Sequence, residues 1–122
     1  MIMKYTMLAG KIHRATVIDT NLDYEGSITI DQDLLDAAKI PVFAQVQIYN
    51  ITNGERFETY TIVGERGSGS MNINGAAAHK ANPGDLIIVA CFMHVDGEDA
   101  FSHKPALVYV DGKNSITSVK NG

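Results

Sequence analysis

A chain of 122 residues with ten Lys and Arg against fourteen Asp and Glu carries a net charge of −4, and it has no basic run that would serve as a nucleic-acid footprint. With 45% hydrophobic and 20% charged residues, that length suits one globular domain over 1–122 with a substantial core. No apolar stretch is long enough for a membrane span, Lys4 and Lys11 interrupt any signal-peptide pattern, and the single cysteine, Cys91, permits no internal disulfide, so a reducing, cytoplasmic location is expected.

In chain order, Lys11 to Asp19 reads as a strand, with Ile12, Val17 and Ile18 among polar neighbours. Ser27-Ile28-Thr29-Ile30 alternates and is β-branched. Asp31 to Ala38 is the best helix, with Asp31 as its cap, acidic residues in its first turn and Pro41 just past its end. Gln45 to Asn50 alternates cleanly, and Asn53-Gly54 precedes a further strand from Arg56 to Val63, which is a strong hairpin signal. Gly64 to Ser70 resembles a phosphate loop but lacks the Gly-Lys-Ser/Thr ending, so a mobile hairpin loop is expected there. Gly75 to Lys80 can form one short helical turn. Asp85 to Phe92 is continuously apolar, as in a strand buried on both faces, with Cys91 as a small buried hydrophobe within it. Ala106 to Val110 is a last strand before an Asp111-Gly112 turn, and the polar residues after about 112 are expected to fray. Six or more short strands with little helix point to a small closed β-barrel.

The pattern that carries chemistry is Tyr24-Glu25-Gly26-Ser27. The Ser27 hydroxyl lies one carbon from its own amide nitrogen. In a strained bond with a polarised Gly26 carbonyl, that oxygen can attack and turn the amide into an ester. Elimination and hydrolysis would then leave a pyruvoyl group at position 27, an electrophile that no side chain supplies. Decarboxylating an α-amino acid needs such an electron sink, and a ketone that condenses with the substrate amine provides one. A Gly-Ser pair alone is common in loops. Arg56 offers a planar fork for a carboxylate. A hydroxyl or amide such as Thr59 or Asn74 could stabilise the oxyanion formed by attack. The small residues Gly75-Ala76-Ala77-Ala78 would let backbone N–H groups approach a carboxylate. His13, His79, His94 and His103 show no metal-ligand spacing, and the last three are expected to be solvated.

Together, Met7-Leu8-Ala9-Gly10-Lys11-Ile12-His13-Arg14, Tyr24-Glu25-Gly26-Ser27, Asn53-Gly54-Glu55-Arg56-Phe57 with Thr59-Tyr60, and Asn74-Gly75-Ala76-Ala77-Ala78 resemble the aspartate 1-decarboxylase family, collinearly from about Met7 to Phe92. The resemblance implies a mainly β fold, a small six-stranded double-psi β-barrel with short helices, and a homotetramer with sites at subunit interfaces. It implies cleavage between Gly26 and Ser27, a pyruvoyl cofactor and Schiff-base position at Ser27, and neither a metal nor pyridoxal phosphate. The implied reaction is decarboxylation of L-aspartate to β-alanine for pantothenate and coenzyme A synthesis.

On the same resemblance, Lys11 and Arg56 bind the substrate with Gly75, Ala76 and Ala77, and Tyr60 is the proton donor. Tyr24 either orients the chain during cleavage or bonds to the pyruvoyl group, Thr59 and Asn74 support processing, and His13 lines the site or an interface. Ile28-Thr29 depart from the Cys-Ala that often follows the processed Ser, Tyr49 stands where some relatives have Trp, and the chain after His94 resembles the family weakly. Two rival readings are a small β-barrel binding module that never processes and a pyruvoyl enzyme for another amino acid.

Overall fold

The structure is a computed structural model that describes residues 3–122. The described residues form nine strands: β1 Lys4–Thr16, β2 Asp19–Asn21, β3 Ser27–Asp31, β4 Gln45–Asn50, β5 Arg56–Gly64, β6 Met71–Asn74, β7 Leu86–Asp96, β8 Ala106–Val110 and β9 Ile116–Asn121. Among the described residues, helix is confined to α1 Gln32–Ala38, a 3₁₀ helix Gly75–Lys80 and α2 Gly97–Ala100. The strands are hydrogen-bonded in the order β2-β6-β3-β5-β4-β7-β1-β8-β9. Three neighbouring pairs (β1 with β8, β2 with β6, β3 with β5) are parallel and the others antiparallel. This mixed sheet encloses one core and is compatible with the small barrel expected, with nine strands rather than six.

Strand alternation decides what is buried. Ile28 and Ile30 on β3, Ile48 on β4, Ile73 on β6, and Ile87 and Val89 on β7 are fully buried. Leu34, Leu35 and Ala38 of α1 cover the same core. Gly10 is required by the closeness of this packing, because a Cβ there would overlap the Ala38 carbonyl at the end of α1.

Several expectations are corrected. The first strand begins at Lys4 rather than Lys11 and stops at Thr16. Its register on β7 shifts between Leu8 and Gly10 and again between Ile12 and Ala15, where Arg14 has a φ of 61°. Such bulges break the period-2 pattern by which a strand is read. β2 and β6 are three- and four-residue strands with polar residues, too short for a periodic signal. β7 is not buried on both faces throughout, since Phe92 and Met93 are exposed. Cys91 is buried within it as expected, and burial raises its thiol pKa.

The Gly64–Ser70 segment is not a hairpin loop, because β3 lies between β5 and β6. It is held by Asp31. That carboxylate caps α1 through Asp33 N–H at 2.8 Å and also accepts from Gly67 N–H at 3.1 Å and Gly69 N–H at 2.8 Å. Arg66 bridges from the same loop to Asp33 and Asp36. Asp31→Ala should therefore remove a helix cap and a loop anchor together. A loss of about 3 kcal/mol is expected, read as a fall of roughly 10 °C in Tm, with Asp31→Asn losing less.

The C-terminal residues do not fray but form β9, which pairs with β8 from Ala106–Asn121 to Val110–Ile116. Asp111 accepts from the N–H groups of Lys113 and Ser115, which closes the turn. Buried Asn114 then bonds to both backbone groups of Thr16 and to the Gly69 carbonyl. His103 is not solvated either: its Nε2 lies 2.7 Å from the Leu8 carbonyl oxygen.

Candidate active site at the Gly26–Ser27 junction

Ser27 opens β3 and is 1% exposed, an unusual burial for a serine beside a surface turn. It pairs across the strands with Asn74, the last residue of β6. The Asn74 Nδ2 donates to Ser27 Oγ at 3.1 Å and to Thr29 Oγ1 at 3.0 Å. The Ser27 hydroxyl in turn donates to the Glu25 carbonyl at 3.1 Å. Gly75 follows with a φ of 73°, and a Cβ there would come within 2.5 Å of Gly26 Cα and 2.7 Å of Gly26 N. Only a glycine allows the start of the 3₁₀ helix to lie against Gly26. Two motifs separated by almost fifty residues thus converge on one peptide bond. Tyr24, with its ring exposed, lines a cleft of about 320 Å³ beside them, together with Thr29, Asn72 and Asn74.

β5 brings the next residues. It pairs with β4 over Arg56 to Tyr60 and with β3 over Thr61 to Gly64, so it links the two halves of the sheet at Tyr60. Tyr60 precedes Thr61, the partner of Ile28, and so stands at the level of Ser27 on the adjacent strand. It is 37% exposed and lies against Phe43. Thr59 is half-buried at the level of Gly26 and pairs with Val46.

Arg56 and Lys11 lie farther off. Arg56 shares the outer face of β5 with Tyr60 and is roughly 13 Å along the strand from it. Its guanidinium stacks 4.0 Å above the ring of Tyr49, its partner on β4. Stacking occupies the face of the cation and leaves its edge free for a carboxylate. Lys11 lies in register with Ala90, Ala90 with Gln47, and Gln47 with Glu58, three interstrand steps or roughly 14 Å from β5. Lys11 faces outward like Arg56, because its neighbour Ile12 is fully buried. One chain therefore gathers Ser27, Gly26, Asn74, Gly75 and Tyr60, while its two cations stand apart on the same outer face.

The Asn53–Arg56 turn is tied to the end of the 3₁₀ helix. The buried Asn50 and the exposed Asn53 both donate to the Lys80 carbonyl, Asn50 also donates to Asp85, and Lys80 pairs with Glu55 at 3.0 Å. Ala76 is exposed and Ala77 half-buried in that helix. His13 packs edge-on against Tyr109 of β8, and the Lys120 amine of β9 lies over the Tyr109 ring, 5.3 Å from its centroid. Burial, then the charges of Lys11 and Arg14, lower the pKa of His13 below its ordinary value and favour the neutral ring.

A match to the aspartate decarboxylase family model covers residues 3–117. The chain belongs to the aspartate decarboxylase family. An aspartate 1-decarboxylase from Alkalilimnicola ehrlichii is 52% identical over 120 residues, covering 98% of this chain and 95% of that protein. One from Syntrophus aciditrophicus is 54% identical over 114 residues, covering 93% and 98%. One from Pelotomaculum thermopropionicum is 52% identical over 98% of this chain and 91% of its own length. This family member's first 117 residues include β8 and the start of β9, so the likeness extends past His94. Sequence reasoning gave no role to the Glu25 carbonyl or to the Thr29 hydroxyl. A main-chain acceptor leaves no trace in residue type, but the Thr29 departure was a usable signal.

Proposed function

We propose that this family member decarboxylates L-aspartate to β-alanine and carbon dioxide, after cutting its own chain between Gly26 and Ser27, in the cytoplasm and toward pantothenate synthesis. The observation that carries the reading is the convergence of Asn74 on a buried Ser27 and of Gly75 on the adjoining Gly26. A serine with its oxygen held by an amide N–H, in a strand start packed on a glycine, is suited to rearrangement rather than to solvent exposure.

In maturation, the Ser27 oxygen attacks the Gly26 carbonyl carbon, the amide C–N bond breaks, and the hydroxyl proton passes to the freed amine. Loss of the Ser27 Cα proton with departure of the Gly26 carboxylate leaves an enamine. One water converts it to a ketone and releases ammonia. Asn74 positions the nucleophile, and Thr59, at the level of Gly26, assists as the carbonyl gains charge. The residues around Ser27 fit the resulting pyruvoyl group, since a ketone oxygen or acyl carbonyl can take the Asn74 N–H that Ser27 Oγ accepts here. That group supplies an electrophilic carbonyl and an electron sink.

The other residues bind substrate and move one proton. Arg56 holds a carboxylate with the free edge of its stacked guanidinium, and Lys11 supplies the second cation. The N–H groups at the start of the Gly75-Ala76-Ala77 turn add backbone donors. Tyr24 lines the same region, and Tyr60 gives a proton to Cα after carbon dioxide departs. Separation of Arg56 and Lys11 from Ser27 within one chain supports sites completed by a neighbouring subunit in a homotetramer.

Incubating the purified protein with L-aspartate should yield β-alanine and carbon dioxide in equal amounts; no β-alanine, or a product from another amino acid instead, overturns the substrate assignment. Arg56→Lys keeps the charge but loses the fork and the stack on Tyr49. Its kcat/KM should fall about tenfold or more, as for a charged hydrogen bond of roughly 1.5–3 kcal/mol. Steady-state kinetics equal to wild type would remove Arg56 from the site.

A further inference from the structure

The geometry points to Thr29 as a positioning residue for self-cleavage: through Asn74 it fixes the orientation of the amide that holds the Ser27 nucleophile. This rests on the maturation reading above and adds a residue to it.

An asparagine amide can present either nitrogen or oxygen after a half-turn. At Asn74 the choice matters. The Ser27 hydroxyl already directs its proton to the Glu25 carbonyl, so its oxygen needs a donor on the other side. Only the nitrogen end of Asn74 serves. Ser27 alone would hold that orientation through a single 3.1 Å bond. Thr29 provides a second, since the same Nδ2 donates to Thr29 Oγ1 at 3.0 Å. Two hydroxyl oxygens thus accept from the one Nδ2, and a flipped amide would set Oδ1 against Ser27 Oγ, whose proton is already given to the Glu25 carbonyl.

Thr29 is itself held. Its χ1 is stiff because the side chain is β-branched. Its methyl lies beside Gly64, where even an added Cβ would approach Cγ2 to 3.2 Å. With the methyl seated there, the hydroxyl is the arm directed to Asn74. The Oδ1 of Asn72, the residue opposite Thr29 on β6, is buried in the same cleft and takes no hydrogen bond among the described residues. The order is then Thr29, Asn74, Ser27, Glu25 carbonyl, with both hydroxyls accepting from the amide and Ser27 donating onward to the carbonyl.

The test uses the full chain made by cell-free translation, with cleavage followed by denaturing mass spectrometry from the moment of synthesis. Thr29→Val removes the hydroxyl and keeps the shape, while Thr29→Ser restores the hydroxyl. The valine variant should cleave about fivefold or more slowly than wild type, the factor that corresponds to one neutral hydrogen bond. The serine variant should recover to within about twofold of wild type, where a purely structural role would instead follow the methyl group and favour valine. Equal melting temperatures for the two variants, taken in the Ser27→Ala background so that only uncleaved chains are compared, separate positioning from stability. Cleavage of Thr29→Val at the wild-type rate, or slow cleavage in both variants, overturns the role of the Thr29 hydroxyl while leaving maturation intact. A wild-type chain that never splits overturns the maturation reading and this role with it.

Discussion

Ser27→Ala is expected to remain one chain and to release no β-alanine from L-aspartate, whereas the wild-type protein splits into a fragment ending at Gly26 and one beginning at position 27. The alanine lacks the oxygen that attacks the Gly26 carbonyl, and no neighbouring hydroxyl replaces it in register. The Thr29 hydroxyl lies on the far side of Asn74, bonded to the same amide nitrogen. Folding should survive, because the lost contacts are one bond from Asn74 and one to the Glu25 carbonyl. Each neutral hydrogen bond contributes about 1 kcal/mol. Intact mass under denaturing conditions gives the chain count, and product analysis gives the activity. Decarboxylation by an uncleaved Ser27→Ala chain at the wild-type rate would refute the whole maturation scheme.

Tyr60→Phe should cleave as wild type does but decarboxylate about a hundredfold more slowly or worse, the range expected when a positioned general acid is removed. The change spares maturation because Ser27 is held by Asn74 and Glu25 rather than by Tyr60. The ring also keeps its place against Phe43, so packing is preserved. A Tyr60→Phe enzyme with unaltered kcat would exclude the phenol as donor.

The same variant tests how the site is divided. Tyr60 and Arg56 stand roughly 13 Å apart along β5, and the Arg56 guanidinium is held over the ring of Tyr49, its partner on β4. An aspartate held at Ser27 beside Tyr60 is then expected to take its arginine from a neighbouring chain. Light scattering should give about four chains per particle, as for a closed symmetric assembly. Tetramers reassembled from Tyr60→Phe and Arg56→Ala subunits should regain part of the activity, through sites that draw each intact residue from a different subunit. No recovery would place both residues in one chain's site, and an active monomer would remove the assembly itself.

Residue type and local pattern were enough to determine much of this protein. The β4 strand, the Asn-Gly turn and the start of β5 follow from alternation and turn chemistry, which act within a few residues. So does α1, whose cap residue Asp31 bonds to Asp33 N–H as its position before an apolar run implies. Four motifs in order were enough to mark the family, and Gly26-Ser27 was legible as the reactive pair because the chemistry belongs to adjacent atoms.

Tertiary structure alone decided the rest, because those contacts join residues that are distant in the chain. Asn74 reaches Ser27 only because β6 runs antiparallel to β3, and Gly75 reaches Gly26 only because the backbone takes a positive φ at the end of that pairing. The tail is a strand rather than a fray because Asn114 bonds to Thr16 and Gly69, contacts for which a polar sequence holds no periodic sign. The Gly64–Ser70 loop is ordered by Asp31, more than thirty residues away, whose two oxygens serve the helix and the loop together. Lys11 and Arg56 read in sequence as one pair of substrate cations, but strand order sets them three steps apart on an outer face, because each lies opposite a core residue in its own strand.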